Sequence, residues 1–183
     1  MVSRMTHGTA GTFDLNMPLP VGTTPRAVQP RSSGSLGTGN YTLVFTFVNN
    51  LVGVSGATVT GHDPSTGTGT VLTSMIDTTD SHRYLVNLSN VSNAQYITVT
   101  LNSVVDAAGN NGNVVSPQLG ILIGDTNADG FVNSADISQT KSQSGQLVGL
   151  SNFREDVNVD GFFNSADISL VKSKSGTALP TTP

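Results

Sequence analysis

Residues 125–145 read DTNADGFVNSADISQTKSQSG, and residues 156–176 read DVNVDGFFNSADISLVKSKSG. The two stretches are offset by 31 residues, and 15 of their 21 aligned positions are identical. A repeat of this length is typical of one supersecondary unit present twice. We therefore expect two loop–helix units near the C-terminal end, packed so that each covers the apolar face of the other.

Oxygen-bearing side chains recur at positions one, three, five, nine and twelve of both loops, counted from the first Asp. Position six is Gly130 or Gly161, and position seven is a Phe that offers its backbone carbonyl. This is the spacing of an EF-hand loop with Asp in place of Glu at position twelve, and such oxygen ligands suit Ca²⁺ better than Mg²⁺. The sequence predicts two Ca²⁺ ions, held by Asp125, Asn127, Asp129, Phe131, Asn133 and Asp136 in the first loop and by Asp156, Asn158, Asp160, Phe162, Asn164 and Asp167 in the second.

The pattern D-x-N-x-D-G-x-x-N-S-x-D, with a Lys five residues after the last Asp, resembles a type I dockerin module over residues 124–178. The resemblance implies two calcium loops, each leading into a helix, related by a pseudo-two-fold axis. It also implies an extracellular or cell-surface bacterial protein that docks on a protein partner, often a cohesin. The positions that would select the partner are Ser134, Ala135 and Lys141 in the first repeat and Ser165, Ala166 and Lys172 in the second.

Residues 41–123 show the period-two pattern of β-strands. Tyr41, Leu43, Phe45 and Phe47 alternate with smaller residues, and five further candidates follow at 57–60, 70–76, 83–88, 96–101 and 114–123. Turn-forming clusters separate them, among them residues 62–67 and 108–112. We predict a mainly β fold, an immunoglobulin-like antiparallel β-sandwich followed by the small α pair of dockerin-like calcium units. The stretch YITVTLNSVVDAAGNNG also resembles the closing strands of bacterial immunoglobulin-like domains.

The first 40 residues are predicted to be a strand arm and a linker. Phe13, Leu15 and Met17 alternate with polar residues over positions 12–17, and residues 18–40 are rich in Pro, Gly and Ser. Two placements are open for this strand. It could complete the sandwich of a neighbouring subunit, with Phe13, Leu15 and Met17 as partner-binding residues, or it could fold back on its own domain. The predicted division is therefore an arm and linker at 1–40, a sandwich at 41–123, a calcium domain at 124–178 and a tail at 179–183.

Composition excludes several functional classes. The formal net charge is −4, which disfavours a nucleic-acid partner, because binding phosphates needs clustered Lys and Arg. No apolar run reaches the roughly 20 residues that span a bilayer, and there is no cysteine for disulfides or thiolate chemistry. Catalytic motifs are absent, so no enzyme activity is expected. His7, His62 and His82 show no ligand spacing and are interpreted as solvated or turn residues. The start lacks the apolar core of a signal peptide, and we interpret the chain as a mature form or a fragment.

Two functions are consistent with these observations. The first is a non-catalytic structural protein that self-associates, as a filament or surface subunit with strand donation by the arm. The second is an anchoring module of a larger secreted enzyme, which binds a cohesin-like receptor through its repeats. In either case, removal of calcium is expected to unfold residues 124–176, because metal binding supplies folding free energy.

Overall fold

The computed structural model describes residues 1–17, 27–33, 38–61 and 68–181. Over these residues the chain forms eleven β-strands, with two α-helices at the C-terminal end. The strands are β1 (Val2–His7), β2 (Gly11–Asn16), β3 (Val28–Gln29), β4 (Thr38–Thr46), β5 (Leu51–Gly53), β6 (Ala57–Gly61), β7 (Thr70–Ile76), β8 (Arg83–Ser92), β9 (Gln95–Asp106), β10 (Asn111–Val115) and β11 (Leu119–Ile121), and the helices are α1 (Ser134–Ser142) and α2 (Ser165–Lys174).

The strands form two sheets. The first has the order β2-β1-β4-β8-β7, and its neighbouring strands are all antiparallel. The second is built on the long strand β9, which pairs with β10, β11, β5 and β6, while β3 joins its edge in parallel with β11. All six strands predicted between residues 41 and 123 are present, and the last of them is divided near Pro117 into β10 and β11.

Side chains from both sheets meet in one hydrophobic core. Tyr41, Leu43 and Phe45 of β4 face inward, as the alternation predicted, and they pack in one cluster with residues of β9 such as Val99 and Leu101. Packing of side chains between two facing sheets forms the core of a β-sandwich. The prediction of a mainly β fold, a β-sandwich followed by a two-helix region, is therefore confirmed.

The N-terminal arm lies on its own domain. Residues 1–17 form a hairpin of β1 and β2, and β1 pairs with β4 from Val2↔Val44 to Arg4↔Thr42. Phe13, Leu15 and Met17 are only 7%, 8% and 4% exposed. In this structure these three residues are therefore buried within their own domain, not against a neighbouring subunit. The hairpin turn brings β2 back beside β1, and the arm thereby forms two strands of the first sheet.

Part of the predicted linker also belongs to the sandwich. Residues 27–33 include β3, and Val28, Gln29 and Arg31 are buried. The separation of residues 1–40 from the sandwich is thus wrong for the hairpin and for this segment, because their backbones pair with β4 and β11. Residues 18–26 and 34–37 of the linker, the turn cluster at 62–67 with His62, and residues 182–183 of the tail lie outside the described residues.

The two helices pack together on a second, smaller core. Val132, Val157 and Val171 of the repeats are almost fully buried in it, with Ile137 and Leu170 packed against them. Val28 of β3 and Leu122 and Ile123 after β11 belong to the same cluster, so the sandwich and the repeats share this core. No helix among the described residues is long and apolar enough to span a membrane.

Candidate calcium-binding loops

Each loop is folded by hydrogen bonds between its own side chains and backbone. In the second loop, the Asp160 amide donates to Asn158 Oδ1 at 3.0 Å, and the Phe162 amide donates to Asp160 Oδ1 at 2.8 Å. The first loop repeats both bonds, each at 2.9 Å. Position six is in the left-handed region in both loops, with φ of 87° at Gly130 and 89° at Gly161, and this conformation favours glycine. Both loops therefore have the backbone conformation that a glycine at position six allows.

The Asp at position twelve links each loop to its helix. In α1 the N-cap is Asn133, whose Oδ1 accepts from the Ala135 amide at 2.7 Å, while Asp136 Oδ2 accepts from the Asn133 amide at 2.9 Å. In this capping box both side chains satisfy amides that the helix itself cannot. Asn164 and Asp167 do the same for α2. The residues at position nine, Asn133 and Asn164, thus cap helices as well as standing in the predicted ligand set.

The other oxygen of each position-twelve Asp faces the start of its loop. Asp136 Oδ1 accepts from the amides of Thr126 and Asn127 at 2.9 and 3.3 Å. Asp167 Oδ1 accepts from the amides of Val157 and Asn158 at 3.0 and 3.3 Å. One carboxylate therefore ties together two parts of the loop that are ten residues apart in the sequence.

The two repeats also exchange equivalent backbone bonds. The Gly145 amide, at the end of the first repeat, donates to the Phe163 carbonyl at 3.1 Å. The Gly176 amide, 31 residues later, donates to the Val132 carbonyl at 2.9 Å. Donors and acceptors occupy the same positions in the two repeats, as a pseudo-two-fold relation requires. Val171 belongs to the core that the repeats share, and Ile137 and Leu170 pack against it.

The carboxylates of the second loop lie close enough together to hold a divalent cation. Asp156, Asp160 and Asp167 bring one oxygen each within 4.8 Å of one another, and they are the one such cluster found among the described residues. Burial, and then the neighbouring carboxylates, raise the pKa of Asp125 and of Asp167 to about 6. A positive charge placed between such buried carboxylates stabilises their ionised form. Their hard oxygen atoms are the ligands that Ca²⁺ prefers, so the donor set fits the predicted ion.

The predicted partner-binding positions of the repeats are on the surface. Ser134 and Ala135 form the first turn of α1, Ser165 and Ala166 form that of α2, and all four are exposed. Lys141 and Lys172 are also exposed and lie in the last turns of the helices. The second repeat therefore presents the same three residues as the first. Phe131 and Phe162 at position seven are 59% and 63% exposed, so apolar surface lies beside these polar positions.

The sequence did not indicate one polar contact of the second loop. His7, at the end of β1, is fully buried, and its Nδ1 lies 2.8 Å from Oδ2 of Asp156. Its Nε2 lies 2.9 Å from Nη1 of Arg31, which is also fully buried. The interpretation of His7 as a solvated or turn residue is therefore wrong. For His82 it is confirmed, because this half-exposed residue bonds Asp80 in the turn before β8.

Residues 123–174 match the family model of the dockerin type I domain. The resemblance inferred from the two repeats is thereby confirmed for this region of the chain. No curated protein and no solved structure matches the chain. Dockerin domains are calcium-binding, non-catalytic modules of protein assembly, and they occur in extracellular or cell-surface bacterial proteins.

Proposed function

We propose that this protein is a non-catalytic extracellular anchoring module that binds two Ca²⁺ ions and docks on a cohesin-like receptor through the first turns of α1 and α2. The observation that carries the proposal is the exposure of the same residues in both repeats, each on a helix that begins at the end of a calcium loop. The partner is a protein, because a dockerin domain implies a protein partner and the formal net charge of −4 disfavours nucleic acid.

The loops prepare this surface. Bound Ca²⁺ would neutralise the carboxylates of each loop and hold its oxygen ligands at fixed distances. Asp136 and Asp167 then act in two directions, since one oxygen faces the loop start and the other completes the capping box of the helix. The positions of Ser134 and Ala135, and of Ser165 and Ala166, follow directly after these caps. The geometry of the docking surface therefore depends on the state of the loops.

In the filament alternative, the arm must pair with the sheet of another subunit. Donation would have to break the pairing of β1 with β4 and expose Phe13, Leu15 and Met17, which are buried in the arm's own domain. The position of the arm is our reason for preferring the receptor-binding function. Electron microscopy of the calcium-loaded protein compares the two: single particles are expected, and polymers that disappear on deletion of residues 1–20 would support donation.

The direct test measures binding to an immobilised type I cohesin domain with calcium or with EDTA. We expect binding in calcium alone, reduced at least tenfold by Ala135→Arg together with Ala166→Arg, because a long charged side chain would prevent close contact. Ala108→Arg is the matched control, since Ala108 is equally exposed in a sandwich turn after β9. Binding that survives the double variant would contradict the proposed surface. A lack of binding to a panel of cohesins would contradict the proposed receptor.

A further inference from the structure

A buried polar chain joins the sandwich to the second calcium loop. Arg31 donates to Gln29 Oε1 at 2.9 Å and to the backbone carbonyl of Ser3 at 3.2 Å, and it lies 2.9 Å from His7. His7 in turn lies 2.8 Å from the carboxylate of Asp156, the residue at position one of the loop. The exposed fractions of Arg31, His7 and Asp156 are all 0%.

The direction of these hydrogen bonds follows from the chemistry of arginine. A guanidinium group can only donate, so His7 Nε2 must accept from Arg31 and carries no proton. The proton of the neutral imidazole is then on Nδ1, which donates to Asp156 Oδ2. Arg31 thus fixes the tautomer of His7, and His7 fixes the orientation of the Asp156 carboxylate. This is the arrangement in which an outer group orients a metal ligand.

Two backbone hydrogen bonds also join the sandwich to the second loop. The Gly8 amide donates to the Val159 carbonyl at 3.0 Å, and the Ser32 amide donates to the Val157 carbonyl at 2.8 Å. Val159 has a φ of 56°, an uncommon conformation for a β-branched residue. The hairpin turn therefore holds a part of the loop whose backbone does not favour its observed shape.

Aromatic packing completes the contact. The rings of Phe13 and Phe153 are stacked with 5.4 Å between their centroids and 3° between their planes. The guanidinium group of Arg31 lies 4.8 Å from the centroid of the Phe153 ring. Phe153 precedes the second loop, and Phe13 belongs to β2, so the stacking joins the hairpin to the chain that enters this loop.

The first loop has different neighbours. The Asp125 carboxylate accepts from the amides of Asp129 and Gly130 in its own loop. Within the described part of the chain, no side chain from the sandwich donates to it. The C-terminal segment contacts this loop, where the Leu179 amide donates to the Gly130 carbonyl at 3.0 Å. The two loops are alike in sequence but differ in what supports their first ligand.

We propose that the sandwich is an outer part of the second calcium site, with His7 as the positioning residue for Asp156. The second loop then binds Ca²⁺ more tightly than the first, and Ca²⁺ in the second loop holds the β1–β2 hairpin in place. This inference rests on the proposed binding of calcium. Loss of an outer partner of a metal ligand typically costs about 10- to 100-fold in metal affinity, and we expect a loss in this range when His7 cannot donate.

Calorimetric titration of the full chain with Ca²⁺ tests the proposal in backgrounds that leave one loop. With Asp125→Ala the second loop is measured, and His7→Phe should raise its dissociation constant about 10- to 100-fold. With Asp156→Ala the first loop is measured, and His7→Phe should leave its dissociation constant unchanged. His7→Asn keeps a side-chain N–H two bonds from Cβ, as in Nδ1, and should return the affinity of the second loop to within about threefold. His82→Phe removes a His–Asp bond far from the loops and is the control.

Three outcomes would overturn the inference. One is an equal effect of His7→Phe and His82→Phe on the second loop. Another is an equal loss at both loops, which would indicate a general effect on folding. The third is a second-loop affinity that His7→Asn does not recover. If the wild-type protein binds no calcium, the proposed function fails as well, and this result is separate from the other three.

A measurement on the unmodified protein serves if His7→Phe does not fold. The Gly8 amide bonds the loop, so its hydrogen exchange, followed by NMR, should slow at least tenfold when calcium is added to EDTA-treated protein. The Gly109 amide, which bonds Asp106 in a sandwich turn, is the internal control and should not change. Equal exchange of Gly8 in both states would refute the link between calcium and the hairpin.

Discussion

The contact between the hairpin and the second loop can be probed by one methyl group placed at equivalent positions of the two repeats. Gly130 and Gly161 both stand at loop position six with nearly the same φ. A Cβ at Gly130 would have no heavy atom within 4 Å, whereas a Cβ at Gly161 would lie 2.8 Å from the His7 carbonyl oxygen. Gly130→Ala and Gly161→Ala therefore have the same backbone strain and differ in one steric contact.

The difference in stability can be worked from the bonds that must move. Alanine in the left-handed region costs about 1 kcal/mol, which is the whole effect expected for Gly130→Ala. In Gly161→Ala the hairpin turn must also withdraw from the loop. This weakens the Gly8–Val159 backbone bond, worth about 1 kcal/mol, and the bond from His7 to the Asp156 carboxylate, worth about 2 kcal/mol. We therefore expect Gly161→Ala to cost about 4 kcal/mol.

The assay is urea unfolding in saturating calcium, followed by circular dichroism. A second pair approaches the contact from the hairpin: a Cβ at Gly8 would lie 2.1 Å from the Asp160 carbonyl oxygen, while one at Gly11 meets only the tip of Phe13 at 3.9 Å. Gly8→Ala should disrupt the contact as Gly161→Ala does, whereas Gly11→Ala should cost only its own backbone strain. Equal losses for Gly130→Ala and Gly161→Ala would refute the conclusion that the sandwich packs on the second loop.

Three further outcomes are expected. Asp125→Ala and Asp156→Ala should each weaken calcium binding at both loops, because the repeats share one core; full affinity at the unchanged loop in calorimetry would show independent units. In EDTA, the unfolding of residues 124–176 should be less favourable at pH 5 than at pH 7, by about 1 kcal/mol for each of Asp125 and Asp167. The reason is that burial raises both pKa values to about 6, so the stability is present below the unfolded pKa of 3.8 and is lost as the pH rises through 6. Saturating calcium should reverse the order of stability at the two pH values. The same order in calcium and in EDTA would contradict this reasoning. Arg31→Met should cost about 3 kcal/mol because it leaves buried acceptors unpaired, while Arg83→Met, at a half-exposed ion pair, should cost about 0.5 kcal/mol in the same urea assay; similar costs would argue against the buried network.

The calcium loops could be predicted from the sequence because their structure is local. All ligands of one loop lie within twelve residues, and the bonds that shape the loop join residues at most ten positions apart. Gly at position six and Asn before a helix each report a backbone conformation that few other residues adopt. Two copies with the same spacing then make chance agreement negligible.

Strand β1 could not be predicted, because its inward side is mostly polar. Ser3, Met5 and His7 face inward and are at most 5% exposed, yet only Met5 contributes to the apolar alternation by which a strand is identified. Ser3 Oγ accepts from Gln29, and His7 bonds Arg31 and Asp156. The polar residues are compatible with burial because each has a partner, and these partners are distant in the sequence.

The same distance hid the link between the arm and the calcium region. His7 and Asp156 are 149 residues apart, and neither has a neighbour whose spacing indicates the other. A histidine without ligand spacing is more often solvated than buried. In this structure, such a histidine is buried and bonds a carboxylate of the second loop. His7 does not need the spacing of a ligand, because it bonds a ligand rather than the metal ion. Its position is set by the pairing of β1 with β2, in which His7 lies opposite Gly11.

The arrangement of the second repeat connects the sandwich with the proposed docking surface. Asp156 and Gly161 face the hairpin, while Ser165 and Ala166 follow the same loop and remain exposed. A single loop thus contacts the sandwich on one side and supports the docking positions on the other. Because several separate bonds and a shared apolar cluster join the two parts, the docking positions are held in a fixed orientation to the sandwich when the loop is ordered. Calcium in the second loop would then set both the shape of the docking surface and its attachment to the rest of the chain.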